Sequence, residues 1–420
     1  EAVLKLPINN YKIHKIEQKR IKCFGEKSTT EICKYLKNEE HRLTKEISKG
    51  GDSFKKSKSW KDHINKVCKY KEIRKLQLDT LKNAKKIMNS TVYGCESAKK
   101  IVYQILAQNI GNKFNGCIIG LMGPPGTGKS TFARNGLAKC FGTIDNPHPF
   151  EHISLGGATN NSTLVGWQYT FHTSKYGKIA SSLIKHKCMN PILYFDELDK
   201  VSKSNEGREI ISILTHLTDS TQNKEFKDRY FENINLDLSK CIIVFSFNDI
   251  NLIDPILLDR IHLIKLDSLT VKSKIQIARK FLIPQICKDV GVDIDNHRIS
   301  DNILKHIIER YTQESGVRKF KELLYTIIRE QNRNWLINDK YLTLKNEFDV
   351  KNLLTFSRPS RIQRVSKDLT TVGSINALHA SNYSGGGITP VQVLKISSYQ
   401  YKEDKTSKIS NNLRIMITGN

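Results

Sequence analysis

The stretch Gly123-Pro124-Pro125-Gly126-Thr127-Gly128-Lys129-Ser130 decides how this chain folds. It matches the P-loop pattern G-x-x-x-x-G-K-[ST] at every specified position. An apolar run at 117–122 precedes it, and a helix-like stretch begins at Thr131. Glycines let such a loop wrap closely around a phosphate, and the N–H groups at the start of the following helix attract its negative charge. We therefore predict a buried strand, a phosphate-binding loop and a helix, in this order.

The cofactors that this loop predicts are ATP and Mg²⁺. Every residue from Gly123 to Thr131 is a candidate contact of the nucleotide. Lys129 would neutralise the β- and γ-phosphates, and the Ser130 hydroxyl would bind Mg²⁺. A chance glycine-rich turn is the alternative, and the strand before the loop and the helix after it argue against that alternative.

Two acidic residues follow a buried-strand pattern at 192–195. Asp196 would hold Mg²⁺ through water, and Glu197 would polarise the water that attacks the γ-phosphate. Because the carboxyl ends of parallel strands lie at one edge of a sheet, both acids are expected beside the P-loop. The pair favours ATP hydrolysis over simple nucleotide binding, although Glu197 as a surface acid is the alternative.

Three further side chains lie where a ring-forming ATPase needs polar groups. Asn248 ends the apolar run at 241–247 and would orient the attacking water. Arg260 precedes the next strand and would reach the γ-phosphate of a neighbouring subunit as an arginine finger. Arg318 would close on the phosphate of its own chain. A turn asparagine and structural ion pairs are the alternatives, and the joint appearance of the three in this order favours catalysis.

The hydrophobic pattern predicts an α/β fold with a parallel sheet flanked by helices. Near-continuous apolar runs separated by helix-like stretches are typical of parallel strands that are covered on both faces. The runs lie at 117–122, 152–155, 192–195, 241–245 and 262–266. We predict four parts: an N-terminal basic helical arm at 1–84, an α/β nucleotide-binding domain at 85–268, a small helical domain at 269–345, and a linker with the start of a β-containing C-terminal domain at 346–420.

The high positive net charge suggests nucleic-acid binding, but the distribution of the charge along the chain argues against this interpretation. Of the 420 residues, 68 are Lys or Arg and 42 are Asp or Glu, a formal net charge of +26. Residues 1–100 hold 26 of the basic residues and 12 of the acidic ones, so much of the excess lies in the arm. The chain is also rich in Lys, Asn and Ile together. Solvated lysines are therefore the favoured interpretation, and a nucleic-acid surface on the arm is the alternative.

Cysteine content and hydropathy indicate the compartment. The nine cysteines form no C-x-x-C pair and no zinc-type spacing, which predicts free thiols in a reducing, cytoplasmic environment. No run approaches 18 consecutive apolar residues, so no transmembrane helix and no membrane partner are expected. The first residue is Glu1, and we expect the chain to be a fragment of a longer polypeptide.

Over roughly residues 85–345 the chain closely resembles the AAA+ module of Lon-family ATP-dependent proteases. Besides the P-loop, the resemblance is carried by Ile153-Ser154-Leu155-Gly156-Gly157, Gly177-Lys178-Ile179, Asp196-Glu197-Leu198-Asp199-Lys200, Asp228-Arg229-Tyr230, Leu257-Leu258-Asp259-Arg260 and Ser315-Gly316-Val317-Arg318. It implies an AAA+ P-loop sheet followed by a small helical lid domain. It also implies a homohexameric ring that pulls protein substrates through a central pore by ATP hydrolysis.

The resemblance assigns two more groups of residues. Phe171 and His172 match the aromatic-aliphatic pair of the substrate-gripping pore loop, since an aromatic ring makes sequence-tolerant apolar contacts. Here the aliphatic member is a histidine, and Ser174-Lys175-Tyr176 replaces the usual turn of small residues and proline. A buried core position is the alternative for Phe171. Tyr93-Gly94 match the adenine-side turn.

The C-terminal part resembles the opening strands of the Lon protease domain at lower fidelity, through residues 372–378 and Gly385-Gly386. The Ser-Lys dyad of that family would lie beyond Asn420. The favoured function is therefore an ATP-driven unfoldase and translocase coupled to a serine protease. The alternative is an AAA+ ATPase without proteolytic activity that remodels protein or nucleic-acid complexes. A nucleotide-sensing scaffold is disfavoured because Glu197 and Asn248 are both present.

Overall fold

The strands predicted around the P-loop form one parallel sheet. The structure is a computed structural model that describes residues 6–7, 14–25, 27–50, 58–111, 116–157, 160–170, 174–202, 204–294, 299–339, 344, 346–354, 374–380 and 386–392. The chain divides into two units, residues 1–359 and residues 360–420. The sheet belongs to the first unit, and its five strands confirm the predicted α/β class.

The strands of the first unit run in chain order β1 (Cys117–Met122), β2 (Phe150–Ser154), β3 (Ile192–Asp196), β4 (Phe226–Lys227), β5 (Asn235–Leu236), β6 (Ile242–Phe247) and β7 (His262–Lys265). The large sheet has the order β2-β3-β6-β1-β7, with every neighbouring pair parallel. The short strands β4 and β5 pair separately and antiparallel. Because β1 lies between β6 and β7, the P-loop occupies an inner position of the carboxyl edge.

Burial on both faces explains why the central strands are almost continuously apolar. Every residue of β6 is buried, and so are the first four residues of β3. One face packs around Phe195 and Phe245, and the other packs around Tyr194 and Val244. Such strands cannot alternate polar and apolar residues, because neither face meets water.

Helices connect the strands of the sheet, and further helices precede β1 and follow β7 in the chain. Their bounds are α1 (His14–Phe24), α2 (Thr29–Gly50), α3 (Lys58–Thr91), α4 (Glu96–Gly111), α5 (Lys129–Thr131, Phe132–Leu137 and Ala138–Phe141 in succession), α6 (Ser162–Val165), α7 (Lys178–His186), α8 (Asn205–Thr218) and α9 (Pro255–Leu258). The helices that follow β7 are α10 (Val271–Ile277, Ala278–Leu282 and Ile283–Val290), α11 (Asp301–Ile307 and Ile308–Thr312), α12 (Arg318–Asn338) and α13 (Glu347–Leu353). The middle segments of α5 and α10 and the second segment of α11 are π-helical.

The helices after β7 have a hydrophobic core of their own. It is centred on Ile286, Leu304, Phe320 and Ile327, all fully buried, and it draws on α10 to α13. This separate core is what a small helical domain requires. The division at 268 and 269 stays a proposal.

The long helix α3 links the arm to the α/β domain. It continues through position 84, and its last turns place Ala84, Ile87 and Met88 in the core beside β1. Gly136 of α5 packs against it, since a Cβ there would lie 3.0 Å from Sδ of Met88. The arm and the α/β domain therefore share one helix, and the proposed division at 84 falls within it.

In the second unit, the described residues form one antiparallel hairpin of β8 (Ser374–Ala380) and β9 (Gly386–Gln392). Among the described residues of the whole chain, no helix is both long enough and apolar enough to cross a membrane. All nine cysteines are free thiols.

Candidate nucleotide site

The P-loop connects β1 to α5 with two residues in left-handed backbone conformation. Gly126 has φ 77° and Gly128 has φ 92°, values that side-chain-bearing residues rarely adopt. A Cβ on Gly128 would meet no atom of the described residues within 4 Å, so the loop is unobstructed at this position. Helix α5 begins at Lys129, and its first N–H groups face a region where an anion is favoured.

The Lys129 ammonium donates hydrogen bonds to three protein oxygens, which phosphate oxygens would replace. Its Nζ donates to the carbonyl oxygens of Gly123 at 2.6 Å and Pro124 at 3.1 Å, and to Oδ1 of Asn248 at 2.7 Å. Burial lowers the pKa of Lys129, while the charges of Asp196 and Asp199 act in the opposite direction. A phosphate would supply the full negative charge that these neutral carbonyls lack. The structure thus brings Lys129 and Asn248 together.

A tyrosine hydroxyl contacts both residues that are predicted to hold Mg²⁺, Ser130 directly and Asp196 through water. Oγ of Ser130 is 3.0 Å from the hydroxyl of Tyr194, which donates to Oδ1 of Asp196 at 3.3 Å. Ser246 also donates to Oδ1 of Asp196, and Nε2 of His152 lies 3.1 Å from Oδ2. Burial raises the pKa of Asp196, but the hydrogen bonds from Ser246 and His152 outweigh it, so the net pKa is below the ordinary value. The carboxylate is therefore ionised at neutral pH.

This donor set fits Mg²⁺. The cation prefers oxygen ligands, binds through one or two carboxylates and keeps several waters. Ser130 offers a hydroxyl and Asp196 offers an ionised carboxylate, and the Tyr194 hydroxyl contacts both. Together with Lys129 and the N–H groups of the loop, these residues can hold a nucleotide triphosphate with its cation.

Glu197 extends from the carboxyl end of β3 in a constrained conformation. Its φ of 60° lies in the left-handed region, where a residue other than glycine is uncommon. Its carboxylate pairs with Lys200, and a Cβ on Gly156 would lie 2.1 Å from Oε2 of Glu197. Glycine at 156 therefore makes room for the acid. The side chain of Glu197 is 39% exposed, so water can reach it.

A hydrogen bond to its backbone N–H holds Asn248 in place. Its N–H donates to Oδ2 of Asp199 at 3.1 Å, while its side-chain oxygen accepts from Lys129. Asp199 follows β3 by three residues, so the connection after β3 fixes the end of β6. The structure places Asn248 between the P-loop lysine and the acidic end of β3.

Arg260 makes two side-chain contacts within its own chain. Its Nη1 donates to the carbonyl of Thr215 at 2.7 Å, and its Nη2 lies 3.1 Å from Oδ2 of Asp219. The side chain is 33% exposed. Neither contact involves a P-loop residue.

Arg318 lies beside the P-loop at the start of α12. A Cβ on Gly126 would be 3.4 Å from Cβ of Arg318, and the guanidinium is open to solvent, with the side chain 84% exposed. The segment before it docks on the loop: N–H of Val317 donates to the carbonyl of Gly126 at 3.1 Å, and the Ser315 hydroxyl donates to the carbonyl of Pro125 at 3.3 Å. The helical domain thus contacts the phosphate loop directly.

Gly316 is the tightest point of this contact. A Cβ there would lie 2.1 Å from the carbonyl carbon of Gly126, a backbone atom that cannot rotate away.

We expect Gly316→Ala to push α12 and Arg318 away from the loop and to raise the nucleotide dissociation constant about tenfold, because overpacking costs about 1–3 kcal/mol. Binding of a fluorescent ATP analogue measures this effect. Gly111→Ala is the control, since a Cβ at 111 meets no atom of the described residues within 4 Å. Equal affinity of the two variants would contradict the docking role.

Of the remaining predicted site residues, the structure describes the one at the adenine-side turn but not the pore-loop pair. The Tyr93 ring lies 5.6 Å from Nζ of Lys280 in α10, so the turn after α3 faces the helical domain. Phe171 and His172 lie outside the described residues. Trp167 and Tyr169, which precede them, are 48% and 62% exposed.

Comparison with known proteins identifies the family. The model of the ATPase family associated with various cellular activities (AAA) matches residues 119–266, and the model of the Lon protease AAA+ ATPase lid domain matches residues 288–343. A Lon protease homolog of Acanthamoeba polyphaga mimivirus is 33% identical over 396 residues, which is 81% of this chain and 38% of that protein. This chain belongs to the Lon family of AAA+ proteins. The predicted resemblance is confirmed.

Bacterial members of the Lon family match over a similar extent. Lon protease of Campylobacter concisus is 34% identical over 74% of this chain, and Lon protease of Chlamydia trachomatis is 30% identical over 77%. The chain spans about two fifths of the length of these relatives, 38% and 39%. A solved structure of Hsp104 with ATPγS and FITC casein covers 63% of this chain and 49% of its own, at 15% identity and a TM-score of 0.49, which is too low to support any inference.

Four residues of this Lon-family site were not predicted from sequence. Tyr194, His152 and Ser246 surround Asp196, and Asp199 holds Asn248. One signal was available for Tyr194: it lies two residues before Asp196 in a strand, so both side chains point to the same face. A hydroxyl in an otherwise apolar strand, aligned with a metal ligand, indicates a polar partner nearby.

Proposed function

We propose that this chain is the ATP-hydrolysing motor module of a Lon-type protease. The observation that carries the proposal is the joint position of Lys129, Ser130, Asp196, Glu197 and Asn248 at the carboxyl edge of β1, β3 and β6, around an open phosphate loop. The AAA family match supports nucleotide binding independently of this geometry.

The side chains divide the work of hydrolysis in this proposal. Lys129 exchanges the carbonyls of Gly123 and Pro124 for phosphate oxygens, and this exchange frees Asn248 to hold the attacking water. Glu197 leaves Lys200 and accepts the proton of that water. Mg²⁺, when bound by Ser130 and Asp196, supplies charge neutralisation for the phosphates.

Two arginines complete the site from different directions. Arg318 approaches from the lid of the same chain, where its backbone already contacts Gly126. Arg260 serves a neighbouring subunit, and neither of its own-chain contacts is with a P-loop residue. This division requires an oligomeric ring, and we propose a homohexamer.

The action of the complete protein is part of the proposal. ATP hydrolysis would pull protein substrates through the ring toward a Ser-Lys protease chamber, and no residue of this chain is assigned to that Ser-Lys pair. The free thiols of all nine cysteines support a reducing compartment such as the cytoplasm.

The pore-loop assignment predicts a separation of two activities. We expect Phe171→Ala to leave ATP hydrolysis within about twofold of wild type and to slow unfolding of a tagged folded protein at least about tenfold, because the variant loses an aromatic contact with the substrate and no nucleotide contact. Phosphate release and the fluorescence of a tagged green fluorescent substrate measure the two rates in the complete polypeptide.

Exposed Tyr169 provides the matched control as Tyr169→Ala. It lies two residues away and is not assigned to the grip. Unfolding by the Phe171→Ala protein at the wild-type rate, with normal ATP hydrolysis, would reject the pore-loop role and leave the motor proposal in place.

A further inference from the structure

The hydroxyl of Tyr194 lies between the two residues proposed to bind Mg²⁺. Its oxygen is 3.0 Å from Oγ of Ser130 in the P-loop helix and 3.3 Å from Oδ1 of Asp196 on its own strand. Ser130 and Asp196 come from α5 and β3, which are separate elements. The phenol is the group that connects them in the described structure.

The position of this phenol is fixed by its surroundings. The residue has no exposed surface, and its ring stacks with Phe150 at 5.6 Å and His152 at 5.3 Å between ring centroids. Both partners lie on β2, the neighbouring strand, in register with β3. Packing of this kind leaves a buried ring few alternative rotamers, so the hydroxyl stays at one point.

Donor counting sets the direction of the hydrogen bonds. A phenol has one proton, and an ionised carboxylate only accepts. Because Tyr194 donates to Asp196, the hydrogen bond with Ser130 is made by the serine proton. The Ser130 hydroxyl is then held with its proton toward Tyr194 and its lone pairs directed elsewhere.

We propose that Tyr194 is a positioning residue that orients the Ser130 hydroxyl and the Asp196 carboxylate for Mg²⁺. The proposal rests on the function proposed above. Hydrogen-bond partners of metal ligands act in this way in other sites, and losing one typically lowers metal affinity about 10–100-fold. Tyr194 touches neither nucleotide nor water in this role, and it acts only through the two ligands.

Ser246 allows the two halves of the role to be separated. It also donates to Oδ1 of Asp196, but Ser130 is not among its hydrogen-bond partners in the described structure. Ser246→Ala therefore removes a donor to the carboxylate and a hydrogen-bond partner of the Tyr194 hydroxyl, but it keeps the phenol that reaches Ser130. If Tyr194 orients both ligands, its loss must cost more metal affinity than the loss of Ser246.

The test measures metal binding directly. Tyr194→Phe keeps the stacked ring and removes only the hydroxyl. Mn²⁺ is titrated into protein saturated with ADP, and free Mn²⁺ is followed by electron paramagnetic resonance. ADP affinity is measured separately in EDTA, and thermal unfolding reports on folding. Tyr103→Phe is the control, because the buried Tyr103 hydroxyl has no hydrogen-bond partner among the described residues and belongs to α4.

We expect Tyr194→Phe to raise the Mn²⁺ dissociation constant about 10–100-fold, with ADP affinity in EDTA within about twofold of wild type. Ser246→Ala should have a smaller effect on Mn²⁺, and Tyr103→Phe should have none. Unchanged Mn²⁺ affinity in Tyr194→Phe would overturn the inference, and so would an equal loss in Ser246→Ala or a parallel loss of ADP affinity in EDTA. Failure of the wild-type chain to bind ADP at all would instead reject the proposed function.

Discussion

Replacing Glu197 with glutamine is expected to slow ATP hydrolysis about 10²–10⁴-fold while ATP stays bound, the range that general-base catalysis contributes. The amide cannot accept a proton from the attacking water. It has nearly the size of the carboxylate, so the left-handed conformation at 197 and the close contact with Gly156 are retained. Steady-state phosphate release measures the rate, and rapid gel filtration of protein with labelled ATP measures the nucleotide that remains bound.

Glu225→Gln is the matched control, because Glu225 is an exposed acid outside the site. We expect it to hydrolyse ATP at the wild-type rate. Hydrolysis by Glu197→Gln at that rate would assign the base to another residue. Loss of ATP binding in Glu197→Gln would show that the acid acts through the fold of the site rather than through the proton.

Replacing Arg260 with alanine is expected to reduce ATP hydrolysis about 10³–10⁵-fold, the range that an arginine finger contributes. Within its own chain, Arg260 contacts Thr215 and Asp219, and neither lies at the phosphate loop. The loss should therefore appear in the rate and leave nucleotide affinity nearly unchanged. Phosphate release at several protein concentrations measures it, and the wild-type rate per chain should rise as the chains assemble.

Mixing two inactive variants tests whether Arg260 acts between chains. An Arg260→Ala subunit has an intact Glu197, and a Glu197→Gln subunit offers an intact Arg260. We expect the mixture to recover part of the wild-type rate, because one kind of neighbouring pair then holds a complete site. Asp219→Asn, which breaks the ion pair and keeps the arginine, is the control and should remain active. A mixture as inactive as its components would contradict action between chains.

The parts of the fold that were predictable from sequence depend on local patterns. A parallel strand covered on both faces must be apolar throughout, so Ile242–Phe247 is recognisable without its neighbours. The P-loop is recognisable because a phosphate requires glycines, a lysine and a hydroxyl at fixed spacing within one loop. The same runs predicted the positions of Glu197 and Asn248 after strand ends, and their catalytic roles stay predictions.

The parts that were not predictable depend on contacts between distant segments. Tyr194 meets Ser130 only because β3 lies two strands from β1 in the order β2-β3-β6-β1-β7, an arrangement that no local pattern specifies. The close approach of Gly316 to the backbone of Gly126 likewise depends on how the lid packs against the P-loop. The own-chain partners of Arg260 likewise become visible only when α8 packs beside it. The net charge of +26 gave little guidance, because charge constrains solubility and partners rather than the fold.

Phosphate release from ATP by the purified chain, with Mg²⁺ and with EDTA, tests the central claim most directly. The site described here predicts hydrolysis that requires Mg²⁺ and disappears in Lys129→Ala. This variant lacks the ammonium that donates to Gly123, Pro124 and Asn248 in the structure. Assembled chains that bind ATP with Mg²⁺ and release no phosphate would contradict it.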